Sequence, residues 1–167
     1  MVRESYPIGV RTLLGRCFWS IFSQGQIMLS PYFALQEFTR TSTGLTNIPG
    51  PEEVANLQAL VDNVLHPARV ALGPIHINSG FRSVTVNRMV GGSKTSHHLR
   101  GMAADLDHWR SNEDLFNWIK TNCKYTQLIR YGDTKLRFIH VSYDPQDLKN
   151  ETLRALNIGK RVRYFRL

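Results

Sequence analysis

Two histidines and one carboxylate in the second half of the sequence have the types and the spacing of metal ligands. His98 and Asp105 lie seven positions apart on either side of Gly101, and His140 lies inside a predicted strand further along the chain. Imidazole nitrogen and carboxylate oxygen are common zinc ligands, and three protein ligands leave a fourth position open for the water of a catalytic site. The spacing alone also fits a polar loop and a core histidine, so at this point a metal site and an ordinary loop remain alternatives.

The cysteines exclude two other kinds of site. Cys17 and Cys123 are the only cysteines among the 167 residues. They are too few for a disulfide scaffold or for a zinc cluster built from cysteines. No apolar run approaches the ~20 residues that cross a bilayer, so we expect no insertion into a membrane.

The elements around these residues can be predicted from hydrophobic periodicity and from turn residues. Pro51 and the helical spacing after it predict a helix that ends at Gly73, and Ser111 is typical of the residue that caps a second helix. Residues 30–50 are polar and rich in turn residues, which favours a mostly irregular segment. Helices thus come early and strands late, which predicts an α+β fold with a small, largely antiparallel sheet flanked by helices. The predicted strands are 75–81, 102–106, 127–131 and 138–143.

Three segments together resemble one enzyme family. Residues 96–105 match the Ser-x-His-x-x-Gly-x-Ala-x-Asp signature of the zinc D-alanyl-D-alanine peptidases, the group that includes VanX-like and VanY-like enzymes. Residues 79–83 read Ser-Gly-Phe-Arg-Ser, similar to the Ser-Gly-Tyr-Arg-Ser motif of that family, and residues 138–142 resemble its His-Val block. The resemblance runs from about residue 32 to residue 143. It is strongest to the carboxy-terminal-type peptidase domain of this family that is found in phage and bacterial cell-wall proteins.

The resemblance implies a fold, a cofactor and a set of site residues. The fold is that of the hedgehog domains and the D-Ala-D-Ala peptidases, and the cofactor is one zinc ion held by His98, Asp105 and His140. Arg82 is expected to receive a substrate carboxylate or a neighbouring carbonyl, since its guanidinium offers a rigid fork of donors. Asn87 and Ser96 are expected on the substrate-binding side, with Ser96 also orienting the loop or His98 through a hydrogen bond.

The catalytic base is where this sequence departs from the family. VanX-like members carry a glutamate three residues before the last histidine, and other members carry a histidine two residues before it. Here these positions are Arg137 and Phe138, neither of which can serve as a base. Asp133, Asp107 and His97 are the nearby candidates, and the sequence does not choose among them.

The resemblance implies zinc-dependent hydrolysis of peptide bonds in peptidoglycan stem peptides, by a carboxypeptidase of the D-Ala-D-Ala type or by an endopeptidase. The alternative is a non-catalytic zinc-binding module of the same fold that binds the cell wall, and the missing base favours it. We expect action on the bacterial cell wall, in the periplasm or outside the cell. Because residues 1–28 contain no clear signal peptide, the protein is expected to stay cytoplasmic until released, or to be associated with a phage, as an endolysin is.

Basic residues concentrate in the flanks of the chain. The net charge is +8, and residues 145–167 carry six basic and two acidic side chains. We predict an amino-terminal extension over residues 1–28, poorly ordered or preceding the natural start, a zinc peptidase domain over 29–146 and a basic tail over 147–167. The tail is either attracted to a polyanion or simply solvated. Because the domain itself is nearly neutral, we expect no nucleic-acid partner. We also expect a monomer, and the resemblance implies a peptidoglycan peptide as its substrate.

Overall fold

The computed structural model describes residues 26–132, 137–158 and 161–167. Most of the predicted amino-terminal extension lies outside the described residues. In this part of the chain, no helix combines the length and the apolar character needed to cross a bilayer. In chain order the elements are β1 (Met28–Ser30), β2 (Phe33–Ala34), α1 (Leu35–Thr39), α2 (Pro51–Leu60), a π-helical segment (Val61–Leu65), α3 (His66–Leu72), β3 (Ile75–Ser79), α4 (Val84–Met89), a 3-10 turn (His97–Arg100), β4 (Ala103–His108), α5 (Asn112–Asn122), β5 (Gln127–Tyr131), β6 (Phe138–Ser142), β7 (Glu151–Ile158) and β8 (Arg161–Arg166).

The predicted long helix is present as α2, the π-helical segment and α3 in direct succession. Pro51 occupies its first turn, where the missing N–H costs no hydrogen bond. The side chain of Glu53 accepts a hydrogen bond of 2.8 Å from the backbone N–H of Gly50, which stabilises the amino end. Gly73 ends the run in a conformation with a φ of +92°, which glycine adopts without strain.

Six strands form the main sheet in the order β3-β4-β6-β5-β7-β8. Every neighbouring pair is antiparallel except β5 and β7, which are parallel. The α+β class and the largely antiparallel sheet are therefore confirmed. Helices α1, α2, α3 and α5 pack on one face of this sheet, where the buried strand residues include Ile77, Leu106, Leu128, Ile139 and Val141.

The segment before α2 is more ordered than its composition predicted. β1 and β2 pair as a short antiparallel hairpin, and α1 follows directly. Leu29, Phe33 and Phe38 are buried in the core, so this segment closes one end of the domain. Its elements are only two to five residues long, too short for periodicity to reveal them.

The predicted basic tail at residues 147–167 needs correction, because most of it belongs to the sheet. Residues 151–155 of β7 pair with β5, and β8 pairs with β7 at the edge. Leu153 and Ala155 of β7 are buried, and the hydroxyl of Thr152 lies 2.7 Å from that of Tyr125. The high density of basic residues suggested a solvated tail, but those side chains alternate with apolar ones as in an edge strand. The main sheet therefore extends through residue 166.

Candidate metal centre

Asp105 and His140 are brought together by the register of two central strands. They lie directly opposite each other in the antiparallel β4–β6 pair, so their side chains project from the same face of the sheet. This is the face opposite the helices. Nδ1 of His140 lies 2.9 Å from Oδ1 of Asp105.

His98 reaches the same point from the 3-10 turn before β4. Its backbone N–H donates to the Ser96 hydroxyl at 3.3 Å, which caps the turn, and Gly101 ends the turn in the left-handed region. His98 is buried, with 2% of its surface exposed. Its Nε2 lies 3.2 Å from Nδ1 of His140 and 3.3 Å from Oδ1 of Asp105.

These three groups fit a metal ion by both chemistry and spacing. One donor atom from each of them lies within 4.8 Å of the other two. Tetrahedral ligands at ~2.0–2.2 Å from zinc lie roughly 3.3–3.5 Å apart, close to the separations observed. Nδ1 of His98 lies 2.6 Å from the carbonyl oxygen of Gly80, so this nitrogen carries the proton and donates it. Its Nε2 is therefore unprotonated, and the lone pair of this atom faces His140 and Asp105.

The electrostatics keep His98 and Asp105 in the forms that bind metals. Burial lowers the pKa of His98 and so favours the neutral imidazole. For Asp105, burial acts to raise the pKa, but the neighbouring His98 and His140 outweigh it and hold the pKa well below its usual range. The site therefore combines a neutral imidazole with an ionised carboxylate at neutral pH.

Arg82 lies beside the carboxylate of Asp105. Its guanidinium forms an ion pair with Oδ2 of Asp105, and its Nε donates to the Ser79 hydroxyl at 2.8 Å. Its backbone N–H donates to the carbonyl oxygen of His98 at 3.0 Å, which ties the segment after β3 to the 3-10 turn. The side chain is mostly buried, yet it borders the cleft described below. The structure thus places Arg82 next to the triad, where the resemblance implied it.

The remaining predicted site residues divide into two groups. Ser96 and His97 border the same cleft as the triad. Asn87 is buried and donates from Nδ2 to the carbonyl oxygen of Ser93 at 2.8 Å. It therefore holds the 91–96 loop and is not among the residues that line the cleft.

Asp107, a candidate base, also lies away from the described cleft lining. Its two carboxylate oxygens accept hydrogen bonds from Asn78 and Asn112, each at 2.8 Å. Asp133 lies outside the described residues.

An open cleft of about 710 Å³ lies over the triad. Its lining includes side chains that sequence reasoning did not assign to the site. The signal that could have found them is the alternation of the strands, because residues two apart on β5 and β8 share the face of His140. The unassigned lining side chains include Gln127, Ile129, Phe138, Leu153, Val162 and Tyr164.

Two comparisons with known proteins agree with this geometry. A family profile described as Peptidase M15 matches residues 31–142, which include all three triad residues and Arg82. A curated relative, the zinc D-Ala-D-Ala carboxypeptidase of Streptomyces albus G, is 54% identical over 44 residues. That match covers 25% of this chain and 17% of the relative, so the chain spans only a small part of the relative's length.

Proposed function

The chain belongs to the peptidase M15 family of metallopeptidases, and we propose that it is a zinc peptidase that hydrolyses the stem peptides of peptidoglycan. The observation that carries this proposal is the convergence of His98, Asp105 and His140 at the floor of an open cleft. A fully enclosed site with four protein ligands would instead be typical of structural zinc. The proposed bond is the D-Ala-D-Ala bond or another peptide bond of the stem, cleaved by a carboxypeptidase or an endopeptidase.

The triad residues would hold one zinc ion. Zinc bound by three protein ligands supplies a water of lowered pKa and polarises a carbonyl group. His98 contributes Nε2, because its Nδ1 is held by the carbonyl of Gly80, and His140 contributes Nδ1. Asp105 contributes Oδ1, while Arg82 binds the other oxygen of the same carboxylate and fixes its orientation.

Arg82 has a second role in this proposal. Its guanidinium has five N–H donors, of which Nε binds Ser79 and one Nη binds Asp105. The remaining donors are suited to a substrate carboxylate or to the oxygen of the scissile carbonyl, where negative charge develops during attack. Removal of such a donor typically lowers kcat by about 10²–10³-fold.

Of the two candidate bases that the structure describes, His97 is the better placed. It borders the cleft, whereas Asp107 lies away from the described lining and is held by two asparagines. Burial lowers the pKa of His97, and the positive charge of Arg100 lowers it further. The imidazole is therefore neutral and able to accept a proton at neutral pH. We therefore assign His97 to collect the proton of the attacking water and to deliver it to the leaving amine.

The substrate is supported by the relative and by charge. The matched relative is named for D-Ala-D-Ala, the terminus of a peptidoglycan stem peptide. The net charge of +8 favours association with the anionic polymers of a cell wall. On this proposal the protein acts at the bacterial cell wall.

The function is tested by incubating the zinc-loaded full chain with soluble peptidoglycan fragments that end in D-Ala-D-Ala. Mass spectrometry should detect released D-alanine or new peptide ends, and a chelator should abolish their release. His98→Ala should be inactive, whereas His76→Ala should retain activity because His76 is exposed on β3 outside the cleft lining described. Intact fragments after prolonged incubation with zinc would reject the proposal.

A non-catalytic cell-wall module remains the second candidate, and one observation favours it. The ring of Phe138 stacks on that of Tyr131, with centroids 4.5 Å apart and planes 9° apart. The position two residues before His140 therefore carries an aromatic contact in place of the histidine found in other members. This candidate predicts stoichiometric zinc and binding to cell walls without release of peptide ends. Release of peptide ends by the wild type, slowed in His97→Ala, would favour the peptidase. Zinc and cell-wall binding without any release in either protein would favour the non-catalytic module.

A further inference from the structure

The β7–β8 hairpin lies outside the segment that matches the family profile, yet it forms one side of the cleft. The profile ends at residue 142, whereas the hairpin begins at residue 151. Leu153 of β7 and Val162 and Tyr164 of β8 border the same cleft as His98, Asp105 and His140. The cleft thus runs across the sheet, from the triad, which β4, β6 and the 3-10 turn supply, to the edge strand β8.

A row of aromatic rings connects the triad to the hairpin. Phe138 lies two residues before His140 on β6 and therefore on the same face. Tyr131 stacks on Phe138, and the Tyr164 ring stands at 89° to that of Tyr131, with centroids 6.4 Å apart. The hydroxyl oxygens of Tyr131 and Tyr164 are 3.1 Å apart. The register supports this order, because Ala155 pairs with Tyr131 on one side and with Tyr164 on the other.

The far end of the cleft offers apolar contact and hydroxyl groups. Ile129 and Leu153 form a small buried cluster beneath the cleft, and Tyr131 packs against it. Burial raises the pKa of Tyr131, assisted by its hydrogen bond to Tyr164, so the Tyr131 phenol stays neutral. Tyr164 is 52% exposed, so much of its ring is accessible for contact with a ligand in the cleft.

We propose that the β7–β8 hairpin forms a second binding subsite, which holds the part of a peptide substrate remote from the cleaved bond, with Tyr164 as its specificity-determining contact. The inference rests on the proposed peptidase function. The fitting ligand is an uncharged stretch of peptide with small aliphatic side chains, which can pack on Tyr164 and Val162 while its amides bind the phenol hydroxyls. The volume of the cleft, about 710 Å³, lies within the ~300–1,000 Å³ range of pockets that hold ligands of drug size. The cleft is therefore larger than a dipeptide requires.

The test compares two substrates with the same cleavable terminus, one a short peptide and the other the same peptide extended, away from the cleaved bond, by small uncharged residues. Tyr164→Ala should lower kcat/KM on the long substrate by roughly five- to tenfold, mainly through KM, and leave the short substrate unchanged. Tyr164→Phe should keep the contribution of the ring to binding of the long substrate and lose only the contribution of the hydroxyl. Phe165→Ala is the matched control, because Phe165 is 45% exposed on the same strand but alternates to the opposite face.

A binding measurement gives a readout that does not depend on turnover. Calorimetric titration with the long peptide lacking its terminal residue should show weaker binding to Tyr164→Ala by a similar factor, and unchanged binding to Phe165→Ala. If wild type cleaves both substrates and Tyr164→Ala changes neither or both equally, the inference is overturned while the function stands. If wild type cleaves neither substrate but the long peptide binds in a Tyr164-dependent way, the subsite stands and the peptidase proposal fails.

Discussion

Gly101 lies against the backbone of Glu53 so closely that no side chain fits between them. A Cβ atom at position 101 would lie 3.0 Å from the carbonyl carbon of Glu53 and closer still to its oxygen. The backbone of Gly101 also has a φ of +68°. The amide of Asn56 donates to the carbonyl oxygen of Arg100 at 2.8 Å, so the first helical segment holds the turn that carries His98. The glycine between His98 and Asp105 is thus required by packing as well as by the turn.

Gly101→Ala should therefore destabilise the protein by roughly 2–4 kcal/mol, because the left-handed backbone and the overlap with Glu53 both oppose a methyl group. The matched control is Gly91→Ala. Gly91 has a φ of +73°, but a Cβ there would meet no atom within 4 Å. It should lose only about 1–2 kcal/mol. Chemical denaturation followed by circular dichroism measures both, and equal losses for the two variants would refute the packing argument.

Local patterns were sufficient to predict most of the elements, and the family resemblance named the three residues that the structure brings together. The strands β3 to β6 and the helices after Pro51 and Ser111 have strong periodicity or clear end signals, and all are present. His98 and Asp105 share one continuous motif, so the resemblance identified both. The resemblance named His140 as well, through the His-Val block, but the register that sets it opposite Asp105 is a tertiary property that no local pattern shows.

The sequence did not predict the carboxy-terminal hairpin, for a physical reason. β7 depends on a parallel pairing with β5, which is brought about by the fold and has no local signature. β8 is exposed at every position, so its sequence lacks the buried apolar residues that identify a strand. The same hairpin supplies Tyr164, so the side of the cleft that the hairpin forms was not predicted either.

Zinc should stabilise the folded protein, because the three ligands converge only in the native state. With free zinc at 100 times its Kd, linkage gives about 2.7 kcal/mol, or roughly 5–10 °C in Tm for a domain of this size. Calorimetric scans with and without zinc measure the shift. Asp105→Asn and His140→Ala should lose most of it, whereas His76→Ala should keep it. A full shift in Asp105→Asn would show that zinc binds elsewhere.

Cys123 should be slow to react with alkylating reagents. Burial raises the pKa of the Cys123 thiol to about 11. At pH 8 the thiolate, which is the nucleophile, then amounts to roughly one molecule in a thousand, against about a quarter for an unperturbed thiol. The rate should rise about tenfold for each pH unit up to pH 10. Mass spectrometry of the peptide that contains Cys123 after timed iodoacetamide treatment measures this rate, and denatured protein is the control. Equally fast labelling of the native and denatured states would contradict the assigned burial.

Removal of residues 147–167 distinguishes a structural hairpin from a solvated tail. The shortened chain loses the buried side chains of Leu153 and Ala155 and uncovers the hydrogen-bonding edge of β5. Burial of one leucine alone stabilises a fold by about 1.5–3 kcal/mol, and an uncovered strand edge promotes aggregation. We expect a lower Tm and a protein that associates at micromolar concentration, as measured by calorimetry and by size-exclusion chromatography.

A chain that ends at residue 158 supplies the matched control, because it keeps β7 and loses β8, which is exposed throughout. This variant should retain most of the Tm, since little apolar surface of β8 is buried. It should nevertheless lose the aromatic side of the cleft, because Val162 and Tyr164 are removed. The two truncations therefore separate the two roles of the hairpin: β7 completes the sheet, and β8 completes the cleft. A chain ending at residue 146 that is as stable and as monomeric as the full protein would restore the solvated tail that charge alone suggests.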